Sequence, residues 1–195
     1  GLSETSPAAS IDPIGVEKFS DSLGLPLPST EISIQDDNGK HLNFNKPGEI
    51  CIRGPQVMKG YWNNTAETNN VMTSDGWFKT GDVGTMNEEG YTKIVDRKKD
   101  MIIVSGFNVY PNEIEEIAMM NDKIFEAGCI GTTNEDGGES IKLFVSLMPG
   151  EELTVEEVIE HCRSRLTGYK IPKFVKFIDE IPKSNVGKIL RGRQQ

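Results

Sequence analysis

The sequence predicts an α+β fold in two parts: a small antiparallel or barrel-like β unit, followed by a compact α+β unit. Short apolar runs separated by turn residues fill the first half of the chain, as in antiparallel sheets. The second half combines such runs with two helical patterns. Five consecutive charged residues, 96–100, separate the two halves. With 195 residues, of which 36% are hydrophobic, the chain can form ordinary buried cores.

Four short apolar runs predict the strands of the first part. They are bounded by residues that favour turns, such as Asp36 to Gly39 and the pair Gly54-Pro55. The residues Asn87 to Gly90, between the last two runs, are typical of a four-residue hairpin loop. The first predicted strand contains the alternating Ile32 and Ile34, and the others lie at 50–53, 83–86 and 91–95.

The charged run at 96–100 marks the expected domain boundary, because adjacent charges are costly to bury. We therefore expect one domain at 1–98 and another at 99–195. The second domain follows the pattern β-α-β-β-α-β of a compact α+β unit. Its two helices are predicted to begin at capping boxes, Asn112 with Glu115 and Thr154 with Glu157. Its strands are predicted near 101–104, 127–130, 141–147 and 174–178.

The charge is distributed unevenly along the chain. A formal net charge of −9 argues against a generally basic surface for nucleic acid. Residues 163–195, however, carry nine Lys or Arg against two acidic residues, a local charge of +7 after a body of −16. This basic end is either a solvated segment or a surface that faces the phosphates of a polyanionic small molecule. Nucleic acid is a weaker third interpretation, because few aromatic residues are interleaved.

Cysteine and histidine usage argues against a zinc site and against a disulfide framework. Cys51, Cys129 and Cys162 are far apart and form no C-x-x-C pair, which indicates neither a zinc site nor a disulfide framework. A reducing cytoplasm fits this usage. His41 and His161 belong to no zinc-binding motif. The longest strongly apolar run has four residues, against the roughly 20 that span a bilayer.

Several segments carry side chains suited to nucleotide chemistry. Asp82 follows a tight glycine turn, and its carboxylate could accept from both hydroxyls of a ribose. Arg97 ends a predicted strand with a guanidinium fork for ribose or phosphate oxygens. Ser3 and Glu4 offer a hydroxyl and a carboxylate that suit phosphate and Mg²⁺, although a helix cap would also explain them.

The loop 182–188 ends in Gly187-Lys188, where glycine would let the backbone bend and deliver an ammonium group into a site made elsewhere. It is not a P-loop, because the upstream glycine is missing and Ile189 replaces the required Ser or Thr. Taken alone, such a segment is more often an ordinary surface loop.

Taken together, these segments resemble the adenylate-forming (AMP-binding) superfamily of acyl-CoA synthetases, and within it the long-chain fatty-acid-CoA ligases. The stretch 75–99 resembles the fatty-acyl signature of the long-chain group, and 104–111 is similar to its bacterial members. The resemblance covers nearly the whole chain. The matching segments are 1–5, 48–54, 60–62, 75–99, 106–115, 168–172 and 182–191.

The resemblance implies an ATP-dependent acid-thiol ligase that works in two half-reactions. The carboxylate of a fatty acid attacks the α-phosphate of ATP, which releases pyrophosphate and leaves an acyl adenylate; the CoA thiol then forms the thioester and releases AMP. By the same resemblance, Ser3 contacts phosphate, Glu4 holds Mg²⁺, and Asp82 binds the ribose hydroxyls. Arg97 contacts the nucleotide, and Lys188 is the catalytic lysine of adenylation.

The resemblance further implies that the small C-terminal domain rotates between the half-reactions. Lys99, two residues after Arg97, would be the hinge. Ser105, Gly106 and Phe107 would then line the passage for the pantetheine arm of CoA.

The expected partners are a fatty acid, ATP and CoA, with no nucleic acid. The family's phosphate-binding loop and acyl pocket are absent from the sequence, so we expect a fragment that is inactive without the missing N-terminal domain of the same chain. The full-length enzyme is expected in the cytoplasm; peripheral contact with the inner membrane and a homodimer are left open. The alternatives are another acyl- or aryl-CoA ligase of the superfamily, or a non-catalytic, stand-alone nucleotide-binding module.

Overall fold

The computed structural model of the protein describes residues 1–15, 21–134, 137–185, 187 and 189–191. Helices and several sheets are both present in these residues, which confirms the predicted α+β class. The chain divides into two compact units, Gly1–Lys98 and Lys99–Gln195.

In its described residues, the first unit contains one short α-helix, α1 (Thr65–Val71), and six strands. The strands are β1 (Ser10–Ile11), β2 (Leu25–Pro26), β3 (Glu31–Gln35), β4 (Gly48–Arg53), β5 (Phe78–Met86) and β6 (Thr92–Arg97).

The second unit contains two helices and five strands among its described residues. They are β7 (Ile102–Val104), β8 (Phe107–Val109), α2 (Pro111–Met119), β9 (Ile124–Thr133), β10 (Glu139–Leu147), α3 (Val155–Arg163) and β11 (Phe174–Phe177). In the described part of the chain, no helix has the length and apolar character that crossing a membrane requires.

An antiparallel sheet in the order β3-β4-β5-β6 forms the body of the first unit. Ile34, Ile50 and Ile52 lie on these strands and form a buried cluster with Ala9. Of the two predicted alternatives, the structure therefore has the antiparallel sheet. The predicted hairpin loop is confirmed, since β5 and β6 pair on either side of Asn87 to Gly90.

A sheet in the order β11-β10-β9 forms the body of the second unit, with β10 antiparallel to β9 and parallel to β11. Successive side chains of a strand point to opposite faces of its sheet. Leu143 of β10 accordingly belongs to the cluster that includes Ile114 of α2 and Val158 of α3. Phe144 belongs to a separate cluster with Ile181. Strand β10 is thus buried on both faces, and the helices cover one of them.

Helix α2 begins differently from the prediction. Asn112 was expected to cap it with Glu115, but the helix starts at Pro111, and Tyr110 is the N-cap residue. Proline suits the first helical position, because its fixed φ is already helical and its missing N–H is not needed there. Glu115 then lies beyond the first turn of the helix, and its Oε1 accepts from the N–H of Cys129 at 2.7 Å.

Helix α3 begins at the predicted capping box. The Oγ1 of Thr154 accepts from the N–H of Glu157 at 3.2 Å, and the Oε2 of Glu157 accepts from the N–H of Thr154 at 2.8 Å. The helix buries Val158 and Cys162, which confirms the predicted core face.

Candidate functional site

Asp82 and Arg97 face each other on the neighbouring strands β5 and β6. The Nε of Arg97 lies 2.9 Å from Oδ1 of Asp82, and the two side chains form a salt bridge. The side chain of Asp82 is 13% exposed and that of Arg97 is 49% exposed. A guanidinium has five N–H donors. Arg97 can therefore hold the carboxylate through Nε while the exposed end of its side chain meets a ligand.

A bulge in β5 sets the position of Asp82. The pairing of β4 with β5 passes from Glu49 opposite Val83 to Cys51 opposite Lys79, so the three residues 80–82 stand opposite Ile50 alone. Gly81 has a φ of +73°, a left-handed conformation that glycine adopts at little cost. The sequence indicated this turn through its glycine, but it could not show that the turn interrupts a strand.

Side chains of the bulge hold it in shape. The Oγ1 of Thr80 donates to the carbonyl of Ile50 at 2.8 Å and accepts from the N–H of Asp82 at 3.1 Å. The N–H of Gly81 donates to Oε1 of Glu49 at 3.1 Å. The hydroxyl of Thr80 and the carboxylate of Glu49 therefore both fix the backbone next to Asp82.

Glu49 and Lys98 form a polar network that the sequence analysis missed. The Nζ of Lys98 donates to Oε2 of Glu49 at 2.8 Å and lies 2.7 Å from Oδ1 of Asp37. Burial acts to lower the pKa of Lys98, but these two hydrogen-bonded carboxylates outweigh it and raise that pKa. The signal that could have revealed the network is a glutamate in the otherwise apolar run 49–52, because a buried charge needs a partner.

Ser3 and Glu4 lie in a single 3-10 turn, Ser3–Thr5. The hydroxyl of Tyr61 donates to Oε1 of Glu4 at 3.0 Å, and the N–H of Met58 donates to the carbonyl of Glu4 at 2.8 Å. Burial and the bond to Glu4 both raise the pKa of the Tyr61 hydroxyl, which keeps it a donor. The segment containing Met58 and Tyr61 thus fixes both the backbone and the carboxylate of Glu4.

The carboxylate of Glu4 fits a magnesium ion that is shared with phosphate. Within the described ranges, no three or more His, Cys, Asp or Glu side chains converge as a metal site. Mg²⁺, however, is commonly held by one or two carboxylates together with substrate phosphates and waters. Glu4 can supply one such carboxylate while its Oε1 stays bonded to Tyr61.

Lys99 is the first residue of the second unit and lies in the 3-10 turn Lys98–Asp100. It is exposed. A change of its backbone angles would therefore not require a buried side chain to move.

Ser105 and Gly106 form the two-residue turn of a hairpin between β7 and β8, in which Val104 pairs with Phe107. Their φ angles, 51° and 82°, are those of a type I′ turn. The sequence analysis predicted β7 but not β8. The hairpin exposes all three expected CoA-passage residues together, Ser105, Gly106 and Phe107.

An aromatic stack supports the tip of this hairpin. The rings of Phe107 and Tyr169 are stacked, with centroids 4.6 Å apart and planes 18° apart. Next to Tyr169, the Nζ of Lys170 lies 2.7 Å from both carboxylate oxygens of Glu113. These contacts join the hairpin tip to the 3-10 turn Gly168–Lys170 and join that turn to α2.

Lys188 lies outside the described residues. Around it, Lys183 pairs with Ile189, and the N–H of Leu190 donates to the carbonyl of Pro182 at 2.8 Å. The N–H of Gly187 donates to the carbonyl of Ser184 at 2.9 Å. The two ends of the loop from Pro182 to Leu190, 182–183 and 189–190, therefore pair with each other through the backbone; we call them its two stems.

The structure brings together only some of the predicted site residues. Asp82 and Arg97 form one pair, and Ser3 and Glu4 share one turn within the same unit. The second unit contains the remaining predicted positions: Lys99, Ser105, Gly106, Phe107 and Lys188.

Two family models match the chain, one in each of the two units. Residues 1–62 match the AMP-binding enzyme family, and residues 113–188 match the AMP-binding enzyme C-terminal domain. The chain belongs to the AMP-binding enzymes. Asp82 and Arg97, which are predicted to bind the nucleotide, lie between these two matches, on the paired strands β5 and β6.

Individual AMP-binding enzymes are similar to the chain along almost its entire length. The long-chain-fatty-acid--CoA ligase of Yersinia pestis is 54% identical over 191 residues, which are 98% of this chain and 34% of that protein. The chain thus spans about a third of the length of the curated relatives that it matches, 34% in this case.

Solved structures of AMP-binding enzymes show the same fold. ATP-bound MatB from Rhodopseudomonas palustris is 32% identical, with a TM-score of 0.93 over 100% of this chain and 39% of that chain. The o-succinylbenzoate CoA synthetase MenE from Bacillus subtilis, in complex with ATP and a magnesium ion, is 33% identical, with a TM-score of 0.84 over 99% of this chain and 40% of that chain.

Proposed function

We propose that the chain acts as the C-terminal third of a long-chain fatty-acid-CoA ligase, which uses ATP and Mg²⁺ to make an acyl adenylate and then acyl-CoA. The observation that carries this proposal is the 54% identity to such a ligase along 98% of the chain, and the Asp82–Arg97 salt bridge on its bulge is consistent with it. In this proposal, residues 1–98 are the end of the large AMP-binding domain, and 99–195 are its small, mobile C-terminal domain.

The first unit would hold the nucleotide. Asp82 would accept hydrogen bonds from the two ribose hydroxyls, because its second carboxylate oxygen need not serve Arg97. Arg97 would donate to ribose or phosphate oxygens from the exposed end of its guanidinium. Ser3 would donate to a phosphate oxygen from its exposed hydroxyl. Glu4, fixed by Tyr61, would hold the Mg²⁺ that neutralises phosphate charge.

The second unit would supply one group to each half-reaction. Lys188 would donate to the attacking carboxylate and the α-phosphate, where negative charge develops during adenylation. Ser105, Gly106 and Phe107 would line the path of the CoA thiol; the absence of a side chain at Gly106 leaves room for the pantetheine arm. A rotation about Lys99 would exchange these two arrangements.

Two other functions compete with this one. The likeness to MenE, an o-succinylbenzoate CoA synthetase, favours an aryl-CoA ligase as the first alternative. The second is a stand-alone nucleotide-binding module without catalysis. The pairing of Asp82 with Arg97 serves either alternative equally well, so the acid and the CoA step must decide between them.

The decisive experiment is thioester formation by the full-length protein with ATP, Mg²⁺, CoA and acids of graded chain length. We expect the highest kcat/KM with long-chain fatty acids, and no acyl adenylate from the 195-residue chain alone. Preference for an aryl acid would establish the first alternative. Absence of adenylate with every acid, in a folded full-length protein, would contradict the proposed function.

Lys188→Ala tests the division of labour in that full-length protein. We expect loss of adenylation, measured as ATP–pyrophosphate exchange, while thioester formation from supplied acyl adenylate is retained. Lys176→Ala is the matched control, because Lys176 is an exposed lysine of the same basic segment, on β11. Equal loss of both half-reactions in Lys188→Ala would contradict the assigned role.

We also propose that the full-length enzyme works in the cytoplasm, where CoA and ATP are available. The reducing environment suits its three cysteines, which are buried and free. Peripheral membrane contact and a homodimer stay predictions; sedimentation of the full-length protein with and without lipid vesicles measures both.

A further inference from the structure

Arg191 is nearly buried in the second unit and joins three segments of it. Its Nη2 donates to Oδ1 of Asn112 at 2.7 Å and lies 3.0 Å from both carboxylate oxygens of Glu115. Its Nη1 donates to Oδ2 of Asp100 at 3.3 Å. The side chain of Arg191 is 15% exposed and that of Glu115 is 6% exposed. Charge-assisted bonds in such a shielded place are among the strong hydrogen bonds of a protein.

The partners of Arg191 are themselves held firmly. Glu115 lies on α2, and its Oε1 also accepts from the N–H of Cys129, which is fully buried on β9. Asn112 lies in the first turn of α2. Arg191 is thus bound to a helix whose position is fixed by the central sheet.

Asp100 brings Arg191 to the proposed hinge. It is the residue immediately after Lys99, and both belong to the 3-10 turn Lys98–Asp100. The bond between Arg191 and Asp100 spans 91 positions of the chain. One guanidinium therefore joins the segment just after the hinge to the end of the loop from Pro182 to Leu190.

The loop from Pro182 to Leu190 is held at its apolar stem as well. Ile181 is fully buried in a cluster with Ile130 and Phe144, and Ile189 packs against that cluster. Lys183, which pairs with Ile189 in the backbone, forms a salt bridge to Glu126 on β9. These contacts pack both stems against the sheet. The chain then continues directly into Arg191, whose side chain binds α2 and Asp100.

We propose that Arg191 is a positioning residue for adenylation, which holds the end of the Pro182–Leu190 loop to α2 and to Asp100. The inference rests on the proposed function, because it takes Lys188 of this loop as the adenylation lysine. Arg191 contacts no substrate in this scheme. It fixes the described end of the loop, so that the ammonium of Lys188 would reach the α-phosphate in the required geometry.

The CoA hairpin should not depend on Arg191. Its strands pair with each other through Ile102 with Val109 and Val104 with Phe107, and its tip stacks on Tyr169. None of these contacts includes Arg191. A defect confined to the position of the loop should therefore reduce adenylation and spare thioester formation.

Arg191→Lys in the full-length protein is the test. Lysine keeps the positive charge, but its single ammonium cannot reproduce a fork that reaches Asn112, Glu115 and Asp100 together. A small misplacement of a reacting group can cost on the order of 100-fold in rate. We expect the kcat of ATP–pyrophosphate exchange to fall about 10- to 100-fold, with the KM for ATP and the thioester rate from supplied acyl adenylate changed less than about twofold.

Two further variants control the experiment. Arg163→Lys makes the same replacement at an exposed arginine of α3, whose bond goes to Glu160 within the helix, and should leave both half-reactions unchanged. Glu115→Gln weakens the same contact from the α2 side without removing bulk. It should likewise lower the kcat of ATP–pyrophosphate exchange and spare thioester formation. In the double variant with Arg191→Lys, the fold-loss should be smaller than the product of the two single losses.

The outcomes separate this inference from the proposed function. If the wild-type protein makes no acyl adenylate, the proposed function fails. If it does, and Arg191→Lys retains adenylation, the inference is wrong. Parallel loss of both half-reactions, or loss of folding in both the Arg191 and Glu115 variants, would show that Arg191 supports the domain as a whole, which also overturns the inference.

Discussion

Gly106→Ala measures what the turn of the β7–β8 hairpin requires of its backbone. Gly106 has a φ of +82°, and a Cβ built on it would meet no atom within 4 Å. The substitution therefore adds no steric contact with the rest of the fold. Its effect on stability comes from backbone conformation alone.

The size of the effect follows from two opposing contributions. Placing an L-residue with a side chain in the left-handed region costs about 1–2 kcal/mol. Replacing glycine also removes freedom from the unfolded chain, which stabilises the fold by about 0.4–1 kcal/mol. The free energy of unfolding is therefore expected to fall by about 1 kcal/mol. For a domain the size of the second unit, Lys99–Gln195, this lowers the Tm by about 4–8 °C.

Thermal unfolding of the chain, followed by circular dichroism, tests this value. Gly168→Ala is the matched control, since Gly168 also has open space around its Cβ position but lies in a 3-10 turn without a positive φ. The control should raise the Tm slightly, because only the unfolded-state contribution remains. A Gly106→Ala variant that is as stable as the Gly168→Ala variant would refute the left-handed turn.

Other predictions concern the hinge, the metal-binding carboxylate and the thiols. In the full-length protein, Lys99→Pro should slow thioester formation more than adenylation, because proline fixes φ at the hinge. If the variant slows both half-reactions by the same factor relative to the wild type, or slows neither, Lys99 is not the hinge. Tyr61→Phe removes the donor to Glu4 and should raise the Mg²⁺ concentration needed for half-maximal activity several-fold, while Mn²⁺ binding in the presence of ATP, followed by electron paramagnetic resonance, weakens in parallel. Unchanged Mn²⁺ affinity would argue against Glu4 as the ligand. Burial raises the pKa of Cys51 to about 12 and that of Cys162 to about 11, from the ordinary 9.0. Because the unfolded chain then loses these protons first, stability should fall as the pH rises above about 9, and both thiols should react with a disulfide reagent at pH 8 only after unfolding.

Local pattern was enough to predict most of the fold. Strand β4 follows from a short apolar run that ends at Gly54-Pro55, β10 follows from alternation, and the start of α3 follows from a capping box. All three are signals between residues close in sequence. Strand β8 was missed because three residues with two exposed side chains show no period. The start of α2 was misplaced because Pro111 defines the first turn more strongly than Asn112 caps it.

The sequence predicted several residues of the candidate site, but it did not predict which of them contact each other. The sequence analysis named Asp82 and Arg97 separately, and the register of β5 with β6 made them a pair. It did not name Glu49 or Tyr61 as supports. Each of these acts on a residue far along the chain, so that no local spacing could reveal it.

The sequence by itself determined the fold class, the capped helix α3, and the chemical groups available for a nucleotide, a cation and a thioester. Tertiary structure alone decided which of these groups meet. Arg191 shows the reason: its bonds to Glu115, Asn112 and Asp100 span 76, 79 and 91 positions. Such contacts depend on how the helix and the sheet pack, and packing joins residues that share no local pattern. A basic chain end, seen in the sequence only as a sum of charges, thus contains one arginine that is nearly buried and forms bonds to two carboxylates.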